Sequence, residues 1–381
     1  MKKVIILLSM FSLLACNRGF KVPSNNSMSM FAFLVADNDL DDHADYIEKD
    51  LVRGLKGCPV GTELFLYEDR RDEPPTLRQF VLAESGQVAF RHIARFDEQC
   101  SASADLFMQV LSTMQSGASG SSYGLLYWSH GNGWLPGANI DSCSHLGTKS
   151  IGLDSQCSMY VEDMAAAIGK TGKIPAFLLL DACFMGGVEV AYALRNSADY
   201  LISSPSETLG ICFPYHLILP LLVNGDMESM KESLDVFYSY CLSDYYGDGT
   251  LSGMASLTDC GQMDALASSF RDLNESFAGF VQTDSIQAFD CLPRHLYYDL
   301  YDYCSHMSSD SLLLSRFQDQ LCRTVLHSVT TPSVFTQTAG RDSMLVIGQC
   351  CGLSTYIPGT GSGYDWTYYQ TEWYRYCYGK E

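Results

Sequence analysis

Two short apolar segments, each running into a reactive side chain, constrain this chain most. Residues 123–128 lead into Ser129-His130-Gly131-Asn132-Gly133-Trp134, and residues 176–180 lead into Asp181-Ala182-Cys183. Continuous apolar runs of this length, bounded by Gly or Pro signals, read as central strands of a parallel sheet covered on both faces. Open sheets of that kind place their chemistry at the carboxyl ends of the strands. A histidine and a cysteine at two such ends can stand side by side despite their separation in sequence. A thiol beside an imidazole is the minimum apparatus for covalent acyl transfer.

The surrounding sequence alternates in the same sense. Residues 30–36 read as a strand ended by Asp37-Asn38-Asp39, and residues 40–55 have helical periodicity. A second strand at 63–67 closes at charged residues and Pro74-Pro75. A helix at 105–114 precedes the histidine strand, and one at 159–168 precedes the cysteine strand. A helix at 188–194 and a strand at 200–203 come next. Such βαβ alternation predicts an α/β fold, a mainly parallel sheet with helices on both faces. Beyond Tyr215 the pattern turns helical, with helices expected at 227–242, 263–280, 294–306 and 311–327. A strand is expected at 344–347, then a final extended aromatic segment packing on the core. The organisation expected is a core at 30–225 and a helical C-terminal part at 226–381.

The N-terminus reads as an export signal. Lys2 and Lys3 precede an apolar stretch at 4–14, then Leu13-Leu14-Ala15-Cys16. The stretch is too short for a spanning helix and has the layout of a secretory signal. The closing Leu-x-Ala-Cys resembles a bacterial lipobox, which predicts lipidation of Cys16 and a cell-envelope lipoprotein anchored to the membrane. Residues 17–29 are polar and read as a tether. Roughly 350 residues remain, enough for a substantial core. The net charge of −20 argues against nucleic acid as a partner. The 15 cysteines show no zinc-type spacing and read mostly as buried free thiols, with a few disulfides open.

Five segments together carry a resemblance. They are Ala36-Asp37-Asn38-Asp39-Leu40, His130-Gly131-Asn132-Gly133-Trp134, Asp181-Ala182-Cys183-Phe184-Met185, Ser203-Ser204-Pro205-Ser206-Glu207-Thr208 and Gly352-Leu353-Ser354-Thr355-Tyr356-Ile357-Pro358. In this order they resemble the clostripain family of cysteine peptidases, within the caspase, legumain and gingipain superfamily. The resemblance implies a caspase-like three-layer sandwich and an endopeptidase working through a thioester.

On that reading Cys183 is the nucleophile, and His130 handles the thiol proton and the leaving amine. The backbone N–H groups of Gly131 and Cys183 form the oxyanion hole. Asp181 stands beside the nucleophile, where the family's matching residue favours Arg or Lys before the scissile bond. A buried Asp capping the next turn is the alternative. Glu207 is a candidate second acidic wall. Relatives mature by cutting themselves between the two strands, and here Lys149 is the candidate site. Calcium is associated with clostripain. The acidic cluster Asp37, Asp39, Asp41 and Asp42, and the run Asp244 to Gly249, lack a complete calcium-loop pattern, so no cofactor is assigned. The expected partners are a peptide with a basic residue before the cut and the membrane; the chain is expected to be a monomer. A peptide- or glycan-binding lipoprotein on an inactive scaffold is the alternative function, supported by the aromatic tail from Tyr364 to Tyr378.

Overall fold

Side chains of the first strand alternate strictly between two apolar layers, and this alternation sets the architecture. In β1 (Met28–Ala36), Phe31, Phe33 and Val35 face one layer, while Met30, Ala32 and Leu34 face the other. The computed structural model describes residues 28–135, 151–154, 157–243, 251–277, 279–307, 310–337 and 342–379. Eight further strands join β1 in one sheet: β2 (Glu63–Arg70), β3 (Glu73–Leu82), β4 (Val88–Arg95), β5 (Ser122–Trp128), β6 (Phe177–Asp181), β7 (Tyr200–Ser203), β8 (Met254–Asp259) and β9 (Val325–Thr330). The order across the sheet is β9-β8-β7-β6-β5-β1-β2-β3-β4. The central strands β7, β6, β5, β1 and β2 are parallel. Two antiparallel strands extend each edge.

One face is covered by α1 (Asp41–Leu55), whose Ile47 and Leu51 are fully buried, with two later helices that lie C-terminal to β7. The other face carries α2 (Ala104–Gly117), α3 (Val161–Lys170) and the short α4 (Val188–Ala193). The two later helices on the first face are α5 (Tyr215–Leu222) and α6 (Met227–Leu242). Helices α7 (Met263–Ser276), α8 (Leu300–Met307) and α9 (Ser311–Thr324) add to the second face. The three-layer α/β arrangement with parallel centre is the one expected.

The edges and the C-terminal part differ from expectation. Pro74 and Pro75 open β3 rather than ending the sheet, because proline is tolerated at a strand start where no ladder donor is needed. The helix expected at 311–327 stops at Thr324. The β-branched run after it forms β9, antiparallel to β8, so strands from beyond residue 226 belong to the central sheet. The helix expected at 294–306 begins only at Leu300, because buried Asp290 accepts the N–H groups of Leu296 and Tyr297 and holds that stretch non-helical. The tail is helical rather than extended, as α10 (Asp365–Tyr368) and α11 (Glu372–Tyr378). Thr371 caps α11 by accepting from the Tyr374 N–H, and Gly379 closes it with φ 59° in the left-handed region. Trp373 on α11 is fully buried against Phe270 and Tyr192, so this segment does pack on the core. The strand expected at 344–347 is present as Ser343–Val346, paired with Ser333–Thr336.

Cys100 and Cys157 form a disulfide. Cys58, Cys212, Cys241, Cys260, Cys304 and Cys377 are buried free thiols. No helix among the described residues is long and apolar enough to cross a membrane. Cys16, Lys149 and the run Asp244 to Gly249 lie outside the described residues.

Candidate active site

The carboxyl ends of β5 and β6 are adjacent, since Trp128 pairs with Asp181 in a parallel register. His130 and Cys183 lie two residues beyond these ends. Ser129 anchors the first turn by donating its hydroxyl to the Val35 carbonyl (2.7 Å) and accepting from the Leu153 N–H. The loop behind His130 is held by the Gly152 N–H, which donates to the His130 carbonyl, and by a bridge between Gly131 and Ile151. On the other side, Phe184 N–H donates to Ser206 O (2.9 Å) and Gly186 N–H to Ser204 O (2.6 Å). The cysteine loop therefore rests on the loop after β7.

The two loops touch through their main chains. A Cβ on Gly131 would lie 2.7 Å from the Cys183 carbonyl oxygen and 2.8 Å from the Ala182 Cβ. Only glycine permits that approach. Gly133 has φ 58°, and a Cβ there would lie 2.7 Å from the Phe184 carbonyl oxygen. Phe184 itself has φ 60° without being glycine, a conformation that costs about 1–3 kcal/mol and clusters at functional sites.

His130, Asp181, Cys183 and Glu207 line one cavity of about 280 Å³, together with Asp39, Trp128 and Thr208. Four residues singled out in the sequence for chemistry or binding are thus brought together. His130 hydrogen-bonds through Nε2 to Asp39 Oδ1 at 2.6 Å. The same contact holds the Asp39 carboxyl below its usual range. The Cys183 thiol is partly buried and accepts from the Thr208 N–H at 3.4 Å. Burial, and then the charge of Glu207, push the thiol up to about 11, and the Thr208 contacts offset part of this.

Asp181 is buried and faces α5, where the Tyr215 hydroxyl donates to its Oδ2 at 2.6 Å. Its Oδ1 is buried and has no hydrogen-bond partner among the described residues. Burial raises its carboxyl to about 7. The Glu207 carboxylate accepts from the Gln337 N–H at 2.8 Å, with Gln337 also lining the cavity. A second cysteine and a second histidine of the chain take no part in the cavity as described: Cys212 is fully buried in the layer of α5 and α6, and His145 lies outside the described residues.

The acidic cluster does not converge. Asp39 engages His130, while Asp41 accepts from Arg70 Nε and the Arg71 N–H, both at 3.2 Å. Among the described residues the one grouping with metal-ligand spacing is Cys100, Asp154 and Cys157, and its two cysteines are joined to each other. The sequence pattern puts Asp39 in a possible metal cluster and does not show it as the partner of His130. Nor does it point to Tyr215 and Thr208 as groups of the cavity. Thr208 closes one of the five quoted segments, whereas nothing local in the sequence ties Tyr215 to Asp181.

The clostripain family profile matches residues 32–376, nearly the whole chain. The chain belongs to the clostripain family. It is similar to the solved structure of an inactive zymogen C11 protease from Parabacteroides distasonis, at 27% identity and TM-score 0.80, covering 94% of this chain and 99% of that one. A secreted C11 cysteine protease from Bacteroides thetaiotaomicron, solved with an irreversible peptide inhibitor, is also 27% identical with TM-score 0.81, covering 92% and 98%. A clostripain from the same organism, solved with the peptide inhibitor BTN-VLTK-AOMK, is 29% identical over 59% of this chain and 97% of that one, with TM-score 0.53. No curated protein matches the chain. Family membership and these relatives make the protein a cysteine peptidase with a caspase-like fold.

Proposed function

We propose that the protein is an endopeptidase that cleaves after lysine or arginine, with Cys183 as nucleophile and His130 as acid and base. The observation that carries the specificity is Asp181: a buried carboxyl with one oxygen unpartnered among the described residues, in the same cavity as the thiol. A buried acceptor without a donor is costly, and a substrate ammonium or guanidinium supplies the donor and the charge. Glu207 adds a second acidic wall and favours the same cation.

Burial and the Glu207 charge raise the Cys183 thiol and disfavour a resting thiolate. Thiolate must therefore form as the substrate is attacked. His130 takes the thiol proton as Sγ bonds to the peptide carbonyl carbon. The oxyanion is met by the backbone N–H groups of Gly131 and Cys183. His130 then gives its proton to the leaving amine as the C–N bond breaks, leaving a thioester. Water, deprotonated by His130, adds to the thioester; the S–C bond breaks, and acid and thiol are released. Each proton in these steps is carried by His130.

Lys149 is the self-processing site of this proposal. It lies two residues before Ile151, which is bridged to the histidine loop, and it matches the specificity of the cavity. The inactive-zymogen state of one relative fits a family in which a cleavage step precedes activity. Cys16 is the lipid attachment point, placing a monomeric enzyme on the cell envelope. The Cys100–Cys157 disulfide agrees with an oxidising compartment outside the cytosol. The test is a set of fluorogenic peptides differing only before the scissile bond, read with wild type and Asp181→Asn. Lys and Arg peptides should be cut and the Ala peptide left, with the preference lost in the variant. Equal turnover of all peptides by wild type would overturn the specificity, and a single uncut but fully active chain would overturn Lys149.

A further inference from the structure

The histidine and cysteine loops are gripped together from outside the sheet by one side chain, Tyr297. It is fully buried and comes from the segment where the sequence predicts a helix. Its ring stacks on Phe184 with centroids 4.0 Å apart and planes 11° from parallel. Its hydroxyl reaches the other loop, donating at 2.9 Å to the Asn132 carbonyl, with the Asn132 side-chain oxygen at 3.0 Å. Phe184 is the residue directly after Cys183, and Asn132 is two residues from His130. The same ring edge lies 3.2 Å from where a Cβ on Gly133 would stand.

Tyr297 is itself held in place. Asp290, fully buried, accepts from the N–H groups of Leu292 (2.9 Å), Leu296 (2.9 Å) and Tyr297 (3.0 Å), and pairs with His295 Nδ1 at 2.9 Å. This knot of bonds fixes the chain at 290–297 in a non-helical form that aims the Tyr297 ring between the loops. A purely apolar filler would not need a hydroxyl, and a purely polar contact would not need a ring stacked on the left-handed Phe184.

We propose that Tyr297 is the positioning residue that sets the distance between the histidine and cysteine loops, and so aligns the imidazole and the Gly131 N–H with the thiol. The inference rests on the assignment of Cys183 and His130 as nucleophile and base. Its consequence is selective. Loss of the hydroxyl frees the histidine loop while leaving the thiol, the Asp181 cavity and the Phe184 stack as they are. Steps that need the imidazole and the Gly131 N–H together should slow most; alkylation of the thiol, which needs a proton acceptor but no oxyanion contact, should slow less. Misplacement of a reacting group by about 1 Å can cost about 100-fold in rate, and a freed but still packed loop should cost less.

The test compares wild type, Tyr297→Phe and Tyr297→Leu on the intact exported chain. Four quantities are read: kcat and KM on a Lys peptide, the rate at which Cys183 is labelled by a lysyl acyloxymethyl ketone, and the rate at which it is alkylated by iodoacetamide. Iodoacetamide forms no oxyanion at a bound carbonyl. For Tyr297→Phe we expect kcat and ketone labelling to fall about tenfold, with KM unchanged and iodoacetamide alkylation, which makes no use of the oxyanion contact, falling clearly less. Hydrogen exchange at residues 131–134 should quicken in the same variant. Tyr297→Leu, which also loses the stack, should be worse and less stable. A Tyr297→Phe enzyme with wild-type kcat and ketone labelling would overturn the inference. So would a parallel fall in all rates and in melting temperature, which marks a packing residue only. Failure of either reagent to modify Cys183 in wild type would instead overturn the nucleophile assignment, and quickened exchange at 131–134 would still show the clamp.

Discussion

Strands β5 and β6 carry their structure in their own residues, whereas the chain from Met254 to Tyr378 takes much of its structure from its neighbours. In β5 and β6 nearly every residue is apolar and buried, the pattern of a central parallel strand covered on both faces. The later segment is mixed: β9 is half exposed along its whole length, and α11 is a seven-residue helix that needs its cap and its buried Trp373 to exist. The difference separates two jobs. The sheet centre places the reacting groups, and the C-terminal part braces them, through Tyr297 and through the edge strands β8 and β9.

The sharpest way to break this division is to remove the reacting groups. Cys183→Ala should abolish peptidase activity, and His130→Ala should lower kcat about 10²- to 10⁴-fold, both with unchanged melting temperatures. Turnover surviving in Cys183→Ala would transfer the chemistry elsewhere. Next in size is Asp181→Asn. Leaving a substrate cation without its buried partner costs about 2–5 kcal/mol, so kcat/KM on Lys peptides should fall about 30-fold or more while an Ala peptide is unaffected. Because the Asp181 carboxyl titrates at about 7, wild-type kcat/KM on Lys peptides should also rise with pH through that value, and Asp181→Asn should flatten that rise.

The bracing side is probed by Trp373→Ala, which empties a fully buried site on α11. It should cost about 3–5 kcal/mol of stability, visible in denaturant unfolding, with kcat per labelled site retained. Loss of kcat without loss of stability would erase the distinction between the regions. A smaller effect is expected at Asp39, largely exposed despite its bond to His130. Asp39→Asn should lower kcat at most about fivefold, the ~1 kcal/mol ceiling of exposed pairs.

A separate prediction concerns pH and the whole fold. Glu68, Asp69, Asp181 and Glu189 are buried carboxyls raised by desolvation to about 7, against roughly 4 in the unfolded chain. Their protonated forms stabilise the native state fully below about pH 4, and that contribution is lost as pH rises through about 7. The melting temperature should therefore be higher at pH 5.5 than at pH 8, and the reverse order would contradict these assignments.

The sheet centre and the meeting of His130 with Cys183 are legible in the sequence because both come from local apolar runs and the rule that places chemistry at strand ends. Asp181 and Glu207 are legible by their place in the same motifs. Asp39 stands out only as one acid among four, because its link to His130 is made in space across 91 residues. Tyr297 and Tyr215 give no signal at all, since an aromatic in an irregular or apolar stretch says nothing of what it touches. The aromatic tail reads as extended for a related reason. Tyr and Trp favour strands in general, but the Thr371 cap, the Gly379 terminus and the Tyr374–Tyr378 stack at 4.6 Å favour a helix here.

The most direct test of the central claim is labelling of the soluble protein, residues 20–381, with an acyloxymethyl ketone carrying lysine, read by intact mass. Wild type, Cys183→Ala and Asp181→Asn are run in parallel, with an alanine probe as control. The account predicts one adduct per chain in wild type, none in Cys183→Ala, slow labelling in Asp181→Asn, and little reaction with the alanine probe. A wild type that takes up the lysine and alanine probes equally, or an adduct that persists in Cys183→Ala, would contradict it.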